Sequence, residues 1–191
     1  MNKIAVRLPN WLGDTVMAVP ALVALRATWP QAEVLAAGPW APLLAGQELA
    51  EVLLTYPRAD GARLRAADAV ARFGPELALV LPNSFEAALA AWYSGARRRV
   101  GFGRGGRSWL LTDTVDCPEP RPHQIDEYLL LSEHAGAATA VVSHAVPCAP
   151  CFYRVCPIEH PCLRGVQAGA VYERVLALVE ERRGSPTALH V

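Results

Sequence analysis

A chain of 191 residues with 52% apolar and 19% charged residues is long enough to bury a core and too apolar to be disordered. Its 18 basic and 18 acidic residues cancel to a net charge of +0, so the molecule as a whole is no polyanion binder and no nucleic-acid partner is expected. No apolar run reaches the roughly 18 residues needed to cross a bilayer.

The first element is "KIAVRL" (3–8), a strand-like run that leads through "PNWLGD" into "DTVMAVPALVALRATW", which has apolar residues at helical spacing. Pro20 falls early in that helix and predicts an irregular or kinked first turn. Lys3 and Arg7 ahead of "VMAVPALVALRA" outline a secretory leader. Asp14 and the Pro-Asn-Trp-Leu-Gly turn break the continuous apolar stretch such a leader needs, so a cytoplasmic protein is expected. Further strand-like runs follow at "EVLAAG" (33–38), "EVLLTY" (51–56), "LALVLP" (77–82) and "RRVGFG" (98–103). Between them lie the helical patterns "ADGARLRAADAVARF" and "NSFEAALAAWYSG". "SWLLTDTVD" predicts an edge strand, "HQIDEYLLLSEHAGA" (123–137) a helix, and "AGAVYERVLALVEERR" a closing amphipathic helix.

Strands alternating with helices at these lengths imply right-handed crossovers. The nearly continuous apolar strands imply a sheet covered on both faces. The expected fold is therefore α/β: a doubly wound, mostly parallel Rossmann-like sheet over 1–140, a Cys- and Pro-rich segment over 141–168, and a C-terminal helix over 169–184.

In such a sheet, ligands bind beyond the carboxyl ends of the strands. "PNWLGD" is the first loop on that edge. Asp14, at or just before the helix start, is suited to cap the helix. A capped carboxylate also stays ionised and can accept a proton from a substrate hydroxyl. Asn83 and Ser84 follow the strand "LALVLP", where either can cap the next helix or meet a ligand. His123 begins a helix near the same edge. Arg97, Arg98, Arg99, Arg104 and Arg107 crowd "ARRRVGFGRGGRS", either as a solvated loop or as a grip for an anionic ligand. Gly101, Gly103 and Gly106 match G-x-G-x-x-G, but strand-like sequence follows where a dinucleotide site needs a helix. Cys148, Cys151, Cys156 and Cys162, with His160 nearby, could close a tetrahedral metal site. A single C-x-x-C unit and a reducing compartment favour packed, reduced thiols instead, with no metal.

With these pieces in place, the chain resembles the lipopolysaccharide heptosyltransferases of glycosyltransferase family 9. "RLPNWLGDTVMAVPAL" looks like the family's opening motif, and its Asn-Trp before Leu-Gly-Asp resembles the type II branch. "LPNSFEAALAAWYSGARRRVGF", "LLTD" and "HQIDEYLLL" continue the likeness in order, and "CAPCFYRVCPIEHPCL" is similar to the family's carboxyl end. The resemblance implies the N-terminal half of a GT-B fold, an ADP-heptose donor and a lipopolysaccharide inner-core acceptor. It implies no cofactor and no required metal, and a cytoplasmic enzyme with peripheral association at the inner face of the cytoplasmic membrane. Asp14 is then the catalytic base. Asn10, Trp11 and Gly13 shape the loop on the acceptor, and Asn83, Ser84, His123 and the five arginines bind its anionic groups.

Only the short stretch "ATAVVSHAVPCA" stands where the family's donor-binding domain should intervene, and its Asp-Ser-Gly…His segment and Gly-Pro-Thr turn are missing. The chain is accordingly expected to lack most of that domain and to transfer little or no sugar alone. The competing expectations are a non-catalytic module that binds core oligosaccharide and a small protein that binds metal through its cysteines.

Overall fold

The computed structural model describes residues 1–56, 60–139, 142, 144–148 and 156–184. The chain divides into two compact units, residues 1–138 and 139–191.

The first unit is built on six strands: β1 (Lys3–Arg7), β2 (Glu33–Ala37), β3 (Val52–Leu54), β4 (Leu77–Val80), β5 (Arg98–Phe102) and β6 (Asp113–Val115). All are parallel, in the order β3-β2-β1-β4-β5-β6. The order reverses between β1 and β4, which opens a crevice beyond their carboxyl ends.

The helices follow from the pattern of burial. Ile4, Val6, Val34, Leu77, Leu79, Val100 and Phe102 alternate onto one face of the sheet and share a core with Leu22, Leu25, Tyr128 and Leu131. Those partners belong to α2 (Val19–Thr28) and α5 (Gln124–Ala135). The opposite face carries Leu35, Ala37, Ala78 and Val80. It packs on α3 (Asp60–Phe73) through Ala66 and on α4 (Phe85–Tyr93) through Ala87, Ala88 and Ala91. Alanine at those positions lets α4 sit close to the sheet.

The helix expected after β1 is broken in two, α1 (Leu12–Met17) and α2, with Ala18 shared as the cap between them. Pro20 is the cause, because it lacks an N–H and its ring collides with the carbonyl of residue 16. The edge strand expected over "SWLLTDTVD" is also shorter: Ser108–Leu110 form a 3-10 turn and only Asp113–Val115 pair as β6. Gly105 and Gly106, at φ 66° and 70°, make the left-handed turn that precedes it, so the glycine pattern opens no helix and is not a dinucleotide site.

Among the described residues of the second unit, the helices are α6 (Pro161–Arg164) and α7 (Ala168–Gly184). A Cβ on Gly165 would lie 2.1 Å from the ring of His144, so a larger residue there would force that ring to move. The Cys156 sulfur accepts a hydrogen bond from the His160 N–H at 3.1 Å. Cys148, Cys156 and Cys162 are free thiols, Cys151 lies outside the described residues, and no metal-holding cluster occurs among the described residues.

Candidate functional site at the carboxyl edge of the sheet

The loop from β1 to α1 is held from several sides. Thr15, fully buried, donates to the Trp11 carbonyl at 2.9 Å and to the Pro9 carbonyl at 3.4 Å. Trp40, from the loop after β2, donates its indole N–H to the Asn10 carbonyl at 3.3 Å. Arg7, at the last position of β1, donates to the Leu8 carbonyl and, at 2.8 Å, to the Asn10 side-chain oxygen. The site depends on Gly38, where a Cβ would stand 2.8 Å from that of Leu8.

Arg7 also anchors a group that the sequence did not reveal. Its guanidinium lies 5.2 Å from the centre of the Tyr56 ring and 3.9 Å from the Glu86 carboxylate, and Arg63 reaches the same carboxylate at 3.7 Å. Burial pulls the Arg7 pKa below its usual value, and burial pushes the Tyr56 phenol above its own. These residues come from β1, the end of β3, α3 and α4, so only the fold could assemble them. The one sequence sign was an arginine directly after the apolar run Ile4–Val6.

Asp14 occupies the third position of α1, inside the first turn, and not the cap expected from spacing. The cap is Trp11, which makes no side-chain capping bond. A carboxylate there is favoured by the helix dipole, by about 0.3–1 kcal/mol. It makes no hydrogen bond among the described residues, while its negative charge, second to burial, raises the pKa of Tyr128 on α5. Gly13 beside it meets nothing within 4 Å of an added Cβ, so the backbone before Asp14 is bare. Between α1, α2 and the 3-10 turn Ala41–Leu44 runs a groove of about 460 Å³, lined by Val16, Val19, Pro20, Leu43, Leu44 and Gln47.

Ser84 caps α4, accepting from the Ala87 N–H at 3.2 Å. His123 caps α5, its Nδ1 accepting from the Ile125 N–H at 3.3 Å. α5 starts at the carboxyl edge of the sheet, because its last carbonyls, at His134 and Ala135, meet Arg98 at the opposite end. Its first turn is fixed by Glu127, which is 1% exposed. That carboxylate accepts from Arg121 at 2.5 and 3.0 Å, from Gln124 at 2.9 Å and from the Cys117 thiol at 3.3 Å.

The five arginines expected to act together are divided by the sheet. Arg98 and Arg99 begin β5, with Arg97 just before it, about 15 Å from the carboxyl edge that carries Asp14. Arg98 is spent on Asp113 and the end of α5, and Arg99 on the Leu110 and Ala96 carbonyls. Arg107 is on the correct edge but fully buried. It donates to the carbonyls of Phe102 at 3.0 Å, Pro82 at 2.5 Å and Ser84 at 2.9 Å, and to the Asn83 side chain at 3.2 Å. It is a strut between the β4 and β5 loops, and it orients Asn83. Arg104 alone reaches outward on this edge, 3.9 Å from Glu119.

A six-stranded parallel sheet in this order, with Asp14, Asn83, Ser84 and His123 on the loops and helix starts at its carboxyl edge, is a Rossmann-type unit of the kind that builds GT-B glycosyltransferases. No family model matches the chain. Curated proteins do: it is 31% identical over 142 residues to lipopolysaccharide heptosyltransferase 2 of Escherichia coli, covering 70% of this chain and 41% of that protein. It is 30% identical over 139 residues to lipooligosaccharide heptosyltransferase 2 of Haemophilus ducreyi, covering 70% and 40%. The solved structure of the E. coli ADP-heptose heptosyltransferase II superposes with a TM-score of 0.57 at 31% identity, over 68% of this chain and 40% of that one. A family 9 glycosyltransferase from Veillonella parvula, 17% identical, shares the fold with a TM-score of 0.61 over 71% and 41%. The chain is thus similar, over part of their length, to type II lipopolysaccharide heptosyltransferases. It spans about two fifths of the length of the curated relatives it matches.

Proposed function

We infer that the 1–138 unit is the acceptor side of an inverting type II heptosyl transfer, with Asp14 as general base. The observation that carries this reading is the state of the first loop. Its carbonyls and the Asn10 side chain are tied to the protein, whereas the Asp14 carboxylate, beside the bare backbone of Gly13, makes no hydrogen bond among the described residues. In the reaction, an acceptor hydroxyl gives its proton to Asp14 as its oxygen bonds to the anomeric carbon of ADP-heptose. The bond from that carbon to the phosphate oxygen breaks, and ADP leaves with the electron pair, which inverts the centre. Base assistance of this kind contributes about 10²–10⁴-fold.

Asn10, Trp11, Asn83, Ser84, His123, Arg63 and Arg104 are the groups we assign to the anionic inner core of lipopolysaccharide. No metal or cofactor is needed, so chelators should leave activity intact. In this reading the reaction takes place in the cytoplasm, at the inner face of the membrane that carries the acceptor. Separately, no helix among the described residues is long and apolar enough to cross a membrane. Holding donor against acceptor supplies most of the remaining acceleration. Residues 1–138 provide the acceptor side alone, so these 191 residues should transfer little or no sugar by themselves.

The test is calorimetric titration with an inner-core oligosaccharide and, separately, with ADP-heptose, with ADP as control. Saccharide binding weakened by Asn83→Ala, without donor binding, is expected. With the donor-binding part of a relative added, transfer should fall about 10²–10⁴-fold in Asp14→Asn at unchanged saccharide affinity. Transfer by Asp14→Asn at the native rate would refute the base. Saccharide binding without transfer under any condition would leave a binding module.

A further inference from the structure

The outward face of α4 is apolar along its whole length. Phe85, Leu89, Trp92 and Tyr93 recur at helical spacing and are 41–51% exposed, and Trp109, 67% exposed, extends the stripe with its ring centre 6.2 Å from that of Phe85. This face points away from the sheet, and the stripe runs alongside the strands, not across the crevice at their ends. Basic residues flank it. Tyr93 donates to Asp68 on α3 at 2.7 Å. Arg65 and Arg72 stand about one turn on either side of Asp68, and Arg97 follows α4 in the chain. Arg65, Arg72 and Arg97 are exposed and form no ion pair among the described residues, while Asp68, about one turn from Arg65 and Arg72 on α3, is engaged by Tyr93.

We propose that this face is a docking surface for an anionic phospholipid bilayer. Tryptophan and tyrosine rings favour the headgroup level, where an apolar body and a polar tip are both satisfied. The unpaired arginines complement the negative surface potential of such a membrane. A second copy of the chain is the poorer occupant, because a twofold contact through this patch would bring the three arginines of one molecule against those of the other. The inference rests on the function proposed above only for its consequence. Phe85 and Trp109 close the amino end of the stripe next to Ser84 and Asn83, so docking would hold the crevice at the level where a lipid-borne acceptor presents its sugars.

The experiment is flotation of the purified chain with vesicles of phosphatidylethanolamine and phosphatidylglycerol, against vesicles of phosphatidylcholine, neither containing lipopolysaccharide. The chain should float with the anionic vesicles, with a blue shift of tryptophan fluorescence that salt weakens. Trp92→Ser with Trp109→Ser should lower partitioning about tenfold or more. Replacing Arg65, Arg72 and Arg97 with glutamine should lower it about fivefold for each arginine removed and abolish the salt dependence. The arginine variant carries the test even if the tryptophan variant unfolds. Equal partitioning of the arginine variant and the native chain, or no flotation of the native chain, would overturn the proposal. So would a dimer in sedimentation that the tryptophan substitutions dissolve. Sugar transfer enters none of these readouts, so failure of the heptosyltransferase reading would leave them unchanged.

Discussion

Arg107 offers the sharpest test of how this crevice is built. In Arg107→Met the chain keeps a side chain of similar length but loses four donated hydrogen bonds, to the carbonyls of Phe102, Pro82 and Ser84 and to the Asn83 side chain. The site is closed to water, with Arg107 at 0% exposure. A hydrogen bond from a charged donor contributes about 1.5–3 kcal/mol, and each buried acceptor left unpaired costs about 1–3 kcal/mol. Some carbonyls will recover partners as the loop relaxes, and removing the buried charge returns part of its desolvation cost, which here is large enough to lower the pKa of the guanidinium. The net loss should be about 3–5 kcal/mol, at the severe end for one substitution. For a domain of this size that is about 10 °C in Tm. The assay is urea unfolding followed by circular dichroism, read as a fall in midpoint at constant slope. Arg104→Ala, which removes one 3.9 Å ion pair to an exposed glutamate, is the control and should change stability by less than about 0.5 kcal/mol. Equal costs for the two substitutions would refute the strut and return Arg107 to the set of ligand contacts.

Gly38→Ala should cost about 1–3 kcal/mol in the same unfolding assay, because its new Cβ would stand 2.8 Å from that of Leu8 beyond the β1–β2 carboxyl ends. Burial alone would raise the Glu127 pKa, but hydrogen bonds from Arg121, Cys117 and Gln124 outweigh it and hold it below the ordinary value. The stability from that carboxylate is therefore full above the unfolded pKa, about 4.3, and is lost as pH falls through the lower folded pKa. Glu127→Gln should destabilise the chain at neutral pH and flatten the part of the acid limb below about pH 4.3, as read by unfolding at stepped pH. Arg97→Gln should leave calorimetric binding of soluble inner-core oligosaccharide unchanged, because residue 97 precedes β5 at the far end of the sheet from Asp14.

Local chemistry was legible in the residues themselves. Unbroken apolar runs separated by helical spacing define a parallel α/β sheet, and Pro20 marks the break in the first helix because a missing N–H acts wherever the ring is placed. The capping roles of Ser84 and His123 also follow from their positions before helices. Direction along the sheet did not. Five arginines within a dozen residues look like one basic patch, yet a five-residue strand carries Arg97, Arg98 and Arg99 to the opposite end from Arg104 and Arg107. Nor could composition show that Arg107 turns inward, since its partners are backbone carbonyls of another loop and carry no side-chain signature. The group around Arg7 is tertiary for the same reason: Tyr56, Arg63 and Glu86 are far apart in the chain and meet only where β1 and β4 part. Periodicity and steric rules act over a few residues and survive in one dimension; which charges face each other depends on strand order and direction, which exist only once the sheet has formed.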